Sequence, residues 1–235
     1  MTTQAHSTTR SRGSRTTTSS STAASDGAYD PTSRKAAIAA GLLFLTATVT
    51  FLLGDSLIRS SFSTPSTGTS SLTWGVALQA VCALANAGIG LALLEVLSRH
   101  DKGLARGYLV VRCLEAVTIL AIGVYILATT SLVANYEIII YGFTGTAGLL
   151  LSLVLLRSRL VPTWLSWLGL VGYAAILLAI PSTLLDIASL DSGPGMLLYV
   201  PGALFELILP ILLIARGFRR TSTHAPTVRS AVLAA

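Results

Sequence analysis

Arg112 and Glu115 stand three residues apart in LVVRCLEAVTIL, residues 109 to 120, a stretch otherwise suited to hydrocarbon. On a helix, positions i and i+3 share a face, so a base and an acid at this spacing are set to pair. Tyr108, one turn before Arg112, falls on the same stripe. A second acid, Glu206, lies in PGALFELILP between Pro201 and Pro210, beside the small residues Gly202 and Ala203. Proline bends a helix there and small residues let a neighbour approach. If the segments carrying Arg112 and Glu206 meet, two carboxylates share one guanidinium, and the trio carries one net negative charge or holds one proton.

Two uses of such a trio stay open. It is a structural clamp that fixes helix packing, or it is a site for a substrate, a proton or an ion, the default reading of an ionisable group inside a membrane. Gln79 and Asn86 share a face of the preceding apolar segment with Gly75, Ala83 and Gly90, so that face is expected to look inward. Their amides read as hydrogen-bonding links between helices or as secondary polar lining. Glu95 falls on the opposite face and has Arg99 as its i, i+4 partner, so this pair is expected to snorkel toward water.

The elements that position these groups follow from composition. The chain has 235 residues, of which 52% are hydrophobic and 11% charged, and a mean hydropathy of +0.73. It therefore lacks the polar surface a soluble domain shows to water. Six apolar runs, near 36–54, 74–97, 107–130, 136–156, 163–185 and 196–215, each approach the roughly 20 residues a helix needs to cross a bilayer. The expected fold is all-α: a polytopic membrane protein built as a bundle of six transmembrane helices over residues 34–218. A Ser/Thr/Arg-rich tail, residues 1–33, is expected to be disordered, although its composition also fits an organellar transit peptide. Residues 219–235 read as a flexible basic tail.

Lys and Arg concentrate in the N-terminal tail, the second and fourth gaps and the C-terminus. The first, third and fifth gaps hold only Arg59, with Asp55, Glu137, Asp186 and Asp191. The positive-inside rule then puts both termini in the cytoplasm, in a plasma-membrane protein. Trp74, Trp164 and Trp167 fall where the aromatic belts are expected. Within this threading, Arg112 and Glu115 lie about 7 to 13 Å from the cytoplasmic end of the third run. Each charge left facing lipid there would cost roughly 2.5 to 3.5 kcal/mol. Pro181 and the DSGPG stretch, residues 191–195, read as a helix end and a turn.

Several functions lose their template. The net charge of +6 is not arranged as a basic stripe interleaved with aromatics, so nucleic acid is not an expected partner. His6, His100 and His224 sit in tails or loops, and Cys82 and Cys113 at different depths, so no cofactor or metal site is expected. No GxSxG, HExxH or phosphate-binding loop is present, which leaves an intramembrane enzyme as the least supported class. A structural or sensing protein leads, with a transporter for a small solute or proton as the alternative. The lipid bilayer is the one partner the sequence names.

The segments RKAAIAAGLLFLTATV, SRHDKGLARGYLVVRCLEAV, LVPTWLSWLGLVGYA and PGALFELILPILLIARGF resemble a family of bacterial integral membrane proteins catalogued as domain of unknown function 4386. The resemblance covers nearly all of residues 34–218. Its most specific points fall on Arg112, Glu115, Phe205, Glu206 and Leu207, and the long N-terminal tail and Glu95 depart from the pattern. The resemblance implies six helices and no established activity.

Overall fold

A computed structural model of the chain describes residues 31–63, 68–133, 136–185 and 197–218. These residues form six helices: α1 (Pro31–Ser63), α2 (Gly68–Ser98), α3 (Lys102–Thr129), α4 (Tyr136–Ser158), α5 (Thr163–Leu184) and α6 (Val200–Arg216). The all-α expectation holds. Five of the helices, α1 to α5, are long and apolar enough to cross a membrane, and α6 has 17 residues. The chain is a multi-pass membrane protein, and outward apolar side chains such as Leu84, Leu91, Val117 and Leu178 form the surface that lipid covers. The tails, residues 1–30 and 219–235, and the DSGPG stretch lie outside the described residues.

Local chemistry explains several helix ends. Pro31 opens α1 at a position where a missing N–H costs nothing. Asp101 caps α3, its side chain accepting from the Leu104 amide at 3.0 Å, which satisfies one of the unpaired donors of the first turn. Thr130 closes α3 in the left-handed conformation at φ 48° and donates its backbone N–H to the Ile126 carbonyl.

Several boundaries correct the sequence reading, the end of α1 by the most. The first helix continues to Ser63, nine residues beyond the end expected at 54, so Asp55 and Arg59 belong to a helix rather than to a gap. The serines of this extension donate back to the helix, Ser60 and Ser61 both to the Leu57 carbonyl at 3.0 and 2.7 Å. Arg59 and Asp55 close an i, i+4 pair at 2.8 Å. These local bonds sustain the helix through a polar stretch that hydropathy alone reads as a loop. The third helix likewise begins at Lys102 rather than 107, which puts Arg112 and Glu115 about 15 and 20 Å along it, further than expected.

Each helix packs on its neighbours in the chain, and α6 closes back on α1, giving a ring of six. Glycine permits the closest approaches. A Cβ added to Gly54 would lie 2.9 Å from the Gly75 carbonyl oxygen, and one added to Gly172 would run into the Gly202 nitrogen. The first contact joins α1 to α2, the second α5 to α6. Gly148, from the small-residue stripe of α4 that includes Thr144 and Ser152, lies against the Tyr173 ring of α5. With lipid outside, such close packing replaces the hydrophobic effect as the force between helices.

Candidate functional site

The ring encloses a cavity of about 360 Å³ to which all six helices or their ends contribute, a size within the usual range of small-molecule sites. Its walls are mostly apolar, with Phe44 and Phe51 from α1, Ile119 from α3, Ile140 from α4 and Ile176 from α5. Polar groups from four helices also face the cavity. Asn86, Arg112, Glu115, Thr144 and Glu206 all line it.

Arg112 and Glu115 are buried and paired as the i, i+3 spacing predicts, Nη1 to Oε2 at 2.8 Å. The pair is satisfied on three further sides. Arg112 Nη1 also donates to Asn86 Oδ1 at 3.2 Å, its Nε donates to the Tyr108 hydroxyl at 3.3 Å, and the Thr144 hydroxyl donates to Glu115 Oε1. The guanidinium further lies 5.8 Å from the Phe44 ring centroid and 5.5 Å from that of Tyr108, within reach of a cation–π attraction. Four helices thus converge on one charge pair. Gly90 of α2 makes the approach possible, since a Cβ there would come within 3.3 Å of Arg112 Cβ and 2.9 Å of Leu109 Cδ1.

Glu206 behaves differently. It is half-buried, and its Oε1 accepts from the Tyr173 hydroxyl at 3.1 Å. It makes no ion pair with Arg112, and α3 does not pack along α6. The expectation that these two helices meet and share Arg112 between two carboxylates is therefore corrected. The ring holds α3 and α6 on opposite walls, and the cavity lies between them. Arg112 and Glu206 belong to one space without touching.

The secondary residues divide in the same way. Tyr108 and Asn86 bond to Arg112, but of the three expected lining residues only Asn86 faces the cavity, and Tyr108 and Gln79 do not. Gln79 is buried two turns away, its Nε2 3.5 Å from the Phe51 carbonyl and its Oε1 without a partner. Glu95 and Arg99 pair at 2.7 Å in an exposed position, as expected of a snorkelling pair. Thr144 and Tyr173 escaped the sequence reading as site residues. Thr144 shares a small-residue stripe at spacing four with Gly148 and Ser152, a pattern that by itself speaks of packing, and Tyr173 carries no charge to distinguish it within an apolar run.

A second polar cluster also escaped notice. Arg59 pairs with Asp55 at 2.8 Å and, across to α4, with Glu137 at 2.5 Å, and the Tyr136 hydroxyl donates to Asp55 Oδ1 at 2.5 Å. The cluster joins the far end of α1 to the start of α4. Between it and the polar groups of the cavity stand Phe51, Tyr141 and Tyr199, with ring centroids 6.4 Å apart for the first pair and 5.2 Å for the second.

Comparison with known proteins adds one match. A family model described as Domain of unknown function (DUF4386) matches residues 39–217, a span that includes the cavity and both polar clusters. No curated protein and no solved structure matches the chain.

Proposed function

Because the chain belongs to the DUF4386 family, whose description carries no activity, we propose from the geometry that it is a six-crossing membrane protein that binds a small ligand in its central cavity. One observation carries this reading. Among the described residues, the second carboxylate oxygen of Glu206 accepts no hydrogen bond, and the side chain lines an otherwise mostly apolar space inside a helical ring. A purely structural acid is expected to be sealed and paired, as Glu115 is.

In this proposal Arg112, Glu115, Asn86 and Thr144 are the fixed wall, and Glu206 is the group that meets the ligand. The wall keeps one shape because its charges are satisfied; the open acid supplies selectivity. The role is binding or sensing. Translocation is the second reading, favoured by the aromatic row Phe51, Tyr141 and Tyr199, which narrows the route from the cavity toward the Arg59 cluster.

The proposed threading has α6 as a sixth crossing. Its 17 residues make about 25 Å of helix, near the lower limit for a span. Arg34 reaches the Leu213 carbonyl at one end, and Tyr199 meets Tyr141 at the other, so α6 extends from the level where α1 begins to the level where α4 begins. Arg34, Lys35, Arg99, Lys102, Arg106, Arg157 and Arg216 cluster at the end where α1 begins, which is read as cytoplasmic. Both termini then lie in the cytoplasm.

Two measurements test the proposal. Single cysteines replacing His100 and Ser131, in a chain lacking Cys82 and Cys113, are expected to react with an impermeant maleimide from opposite faces, His100 from the cytoplasm. Reaction of both from one face overturns the threading. Native mass spectrometry of the full chain released from nanodiscs is expected to show a bound small molecule that is lost in Glu206→Leu. If Glu206→Leu leaves both Tm and bound mass unchanged, the acid has no ligand and the binding reading fails.

A further inference from the structure

The cavity has a mouth, and the residues around it say which phase it opens to. Helices α1 and α6 are close at the end where α1 begins. There Arg34 Nη1 lies 3.4 Å from the Leu213 carbonyl, and a Cβ on Gly41 would come within 2.9 Å of the Pro210 carbonyl. Further along, the cavity reaches the outer surface between them. Leu52 on α1 and Ala203 and Leu207 on α6 line the cavity and are at the same time exposed on the outside of the ring, Leu52 by 61% and Leu207 by 46%. A side chain that both lines a cavity and faces outward stands at its rim.

That rim lies at membrane depth. Glu206 is ten residues, about 15 Å, from the end of α6 at Arg216, and Leu207 is its neighbour. The outside of the ring at this height is hydrocarbon, so the opening between α1 and α6 faces acyl chains rather than water. A ligand that enters by it is itself membrane-soluble.

The polar groups of the cavity limit the ligand's head. With all three groups ionised, Arg112, Glu115 and Glu206 sum to one negative charge. Arg112 and Glu115 compensate each other at 2.8 Å, so the surplus charge resides on Glu206. Phe51, Tyr141 and Tyr199 form an aromatic wall of the same cavity. An acid combined with several aromatic faces is the setting in which ammonium groups bind well, since ring quadrupoles and a carboxylate both attract a cation.

Resting on the ligand-binding reading above, we propose that the ligand is a cationic amphiphile, a hydrocarbon chain bearing an amine or quaternary ammonium head. It enters sideways from the bilayer between α1 and α6. Its head settles against Glu206 and the aromatic wall, and its chain lies along Leu52 and Leu207, leading back into lipid. An anionic head is disfavoured by the uncompensated acid. A neutral head forfeits the charge attraction that repays its transfer to Glu206.

Photolabelling in nanodiscs of zwitterionic lipid tests this. Three probes share a dodecyl chain with a diazirine in it and differ in the head: trimethylammonium, hydroxyl or sulfate. The trimethylammonium probe is expected to label peptides containing Leu52 and Leu207. Excess unlabelled dodecyltrimethylammonium is expected to compete, and Glu206→Gln to reduce labelling about tenfold or more. Ala203→Trp, a substitution at the exposed rim, is expected to block labelling while leaving Glu206 and Tm intact. Glu95→Gln serves as the control acid and is expected to change nothing.

The failures are separable. Equal labelling of the cavity by all three heads overturns the cationic assignment and leaves the binding reading standing. Labelling that persists in Ala203→Trp, or is prevented by water-soluble tetramethylammonium at low concentration, overturns lateral entry. If no probe labels the cavity in the folded chain, both the ligand class and the binding reading fall.

Discussion

The protein holds two arginine-centred clusters, and they differ in almost every physical respect. At Arg112 the charged side chains are 3% and 2% exposed, and a tyrosine, an asparagine and a threonine complete the shell. At Arg59 the guanidinium pairs with two acids instead of one, yet it is 41% exposed. More ion pairs do not mean more stability. A buried charge that loses its partner retains a desolvation cost of several kcal/mol, whereas an exposed one is taken up by water. The first cluster is thus expected to dominate the energetics despite having fewer formal bridges.

Mutations can break this contrast or sharpen it. The largest expected effect is Arg112→Leu, about 3 to 5 kcal/mol in reversible unfolding from mixed micelles, because it strands Glu115. Replacing Arg112 and Glu115 together with leucine is expected to recover more than half of that loss, and adding Glu206→Leu to cost little more. Equal melting temperatures for the single and combined variants would remove the pairing argument altogether. Next comes Thr144→Val, about 1.5 to 3 kcal/mol, since a hydroxyl bound to a charged carboxylate is lost within the same cavity wall. Arg59→Gln is expected to cost about 1 kcal/mol or less, and the difference from wild type should shrink as salt is raised, which a series of unfolding curves reads directly. Glu95→Gln, which removes the acid of a fully outward pair, is expected to change stability by no more than about 0.5 kcal/mol. If Arg59→Gln proved as damaging as Arg112→Leu, exposure would not be the variable that separates the two clusters.

The same contrast explains what was legible in the sequence. Arg112 and Glu115 are conspicuous because every neighbour within a turn is apolar or small, and their spacing alone specifies the bridge they form. The Glu95 and Arg99 pair is legible for the same reason. Asp55 and Arg59 lie among serines, where hydropathy falls and a loop looks natural; only hydroxyl bonds to backbone carbonyls keep α1 going, and hydropathy does not register them. Glu206 was recognised as an inward acid, but its partner was not. Which wall of a ring a residue occupies depends on the closure of α6 on α1, and periodicity within one helix contains no information about that closure. Tyr173 shows the limit most plainly. Nothing in LVGYAAILL distinguishes a tyrosine that meets an acid from one that meets only neighbouring side chains.

The helix contacts around the ring are of two kinds. Within α1, α2 and α3, and again within α4, α5 and α6, glycines bring backbones or bulky side chains into tight register: Gly54 with Gly75, Gly90 with Leu109, Gly148 with Tyr173, Gly172 with Gly202. From α3 to α4 the bridging groups are side chains, Glu115 with Thr144 and Asp101 with Arg157. From α1 to α6 the tight point is Gly41 against Pro210, near one end. The two seams between these trios thus rest on side-chain bonds and on one glycine contact near an end. The Arg59 to Glu137 bridge ties the same two trios at the end of α1 away from Gly41, a clasp whose half-exposed guanidinium water can take up if it lets go.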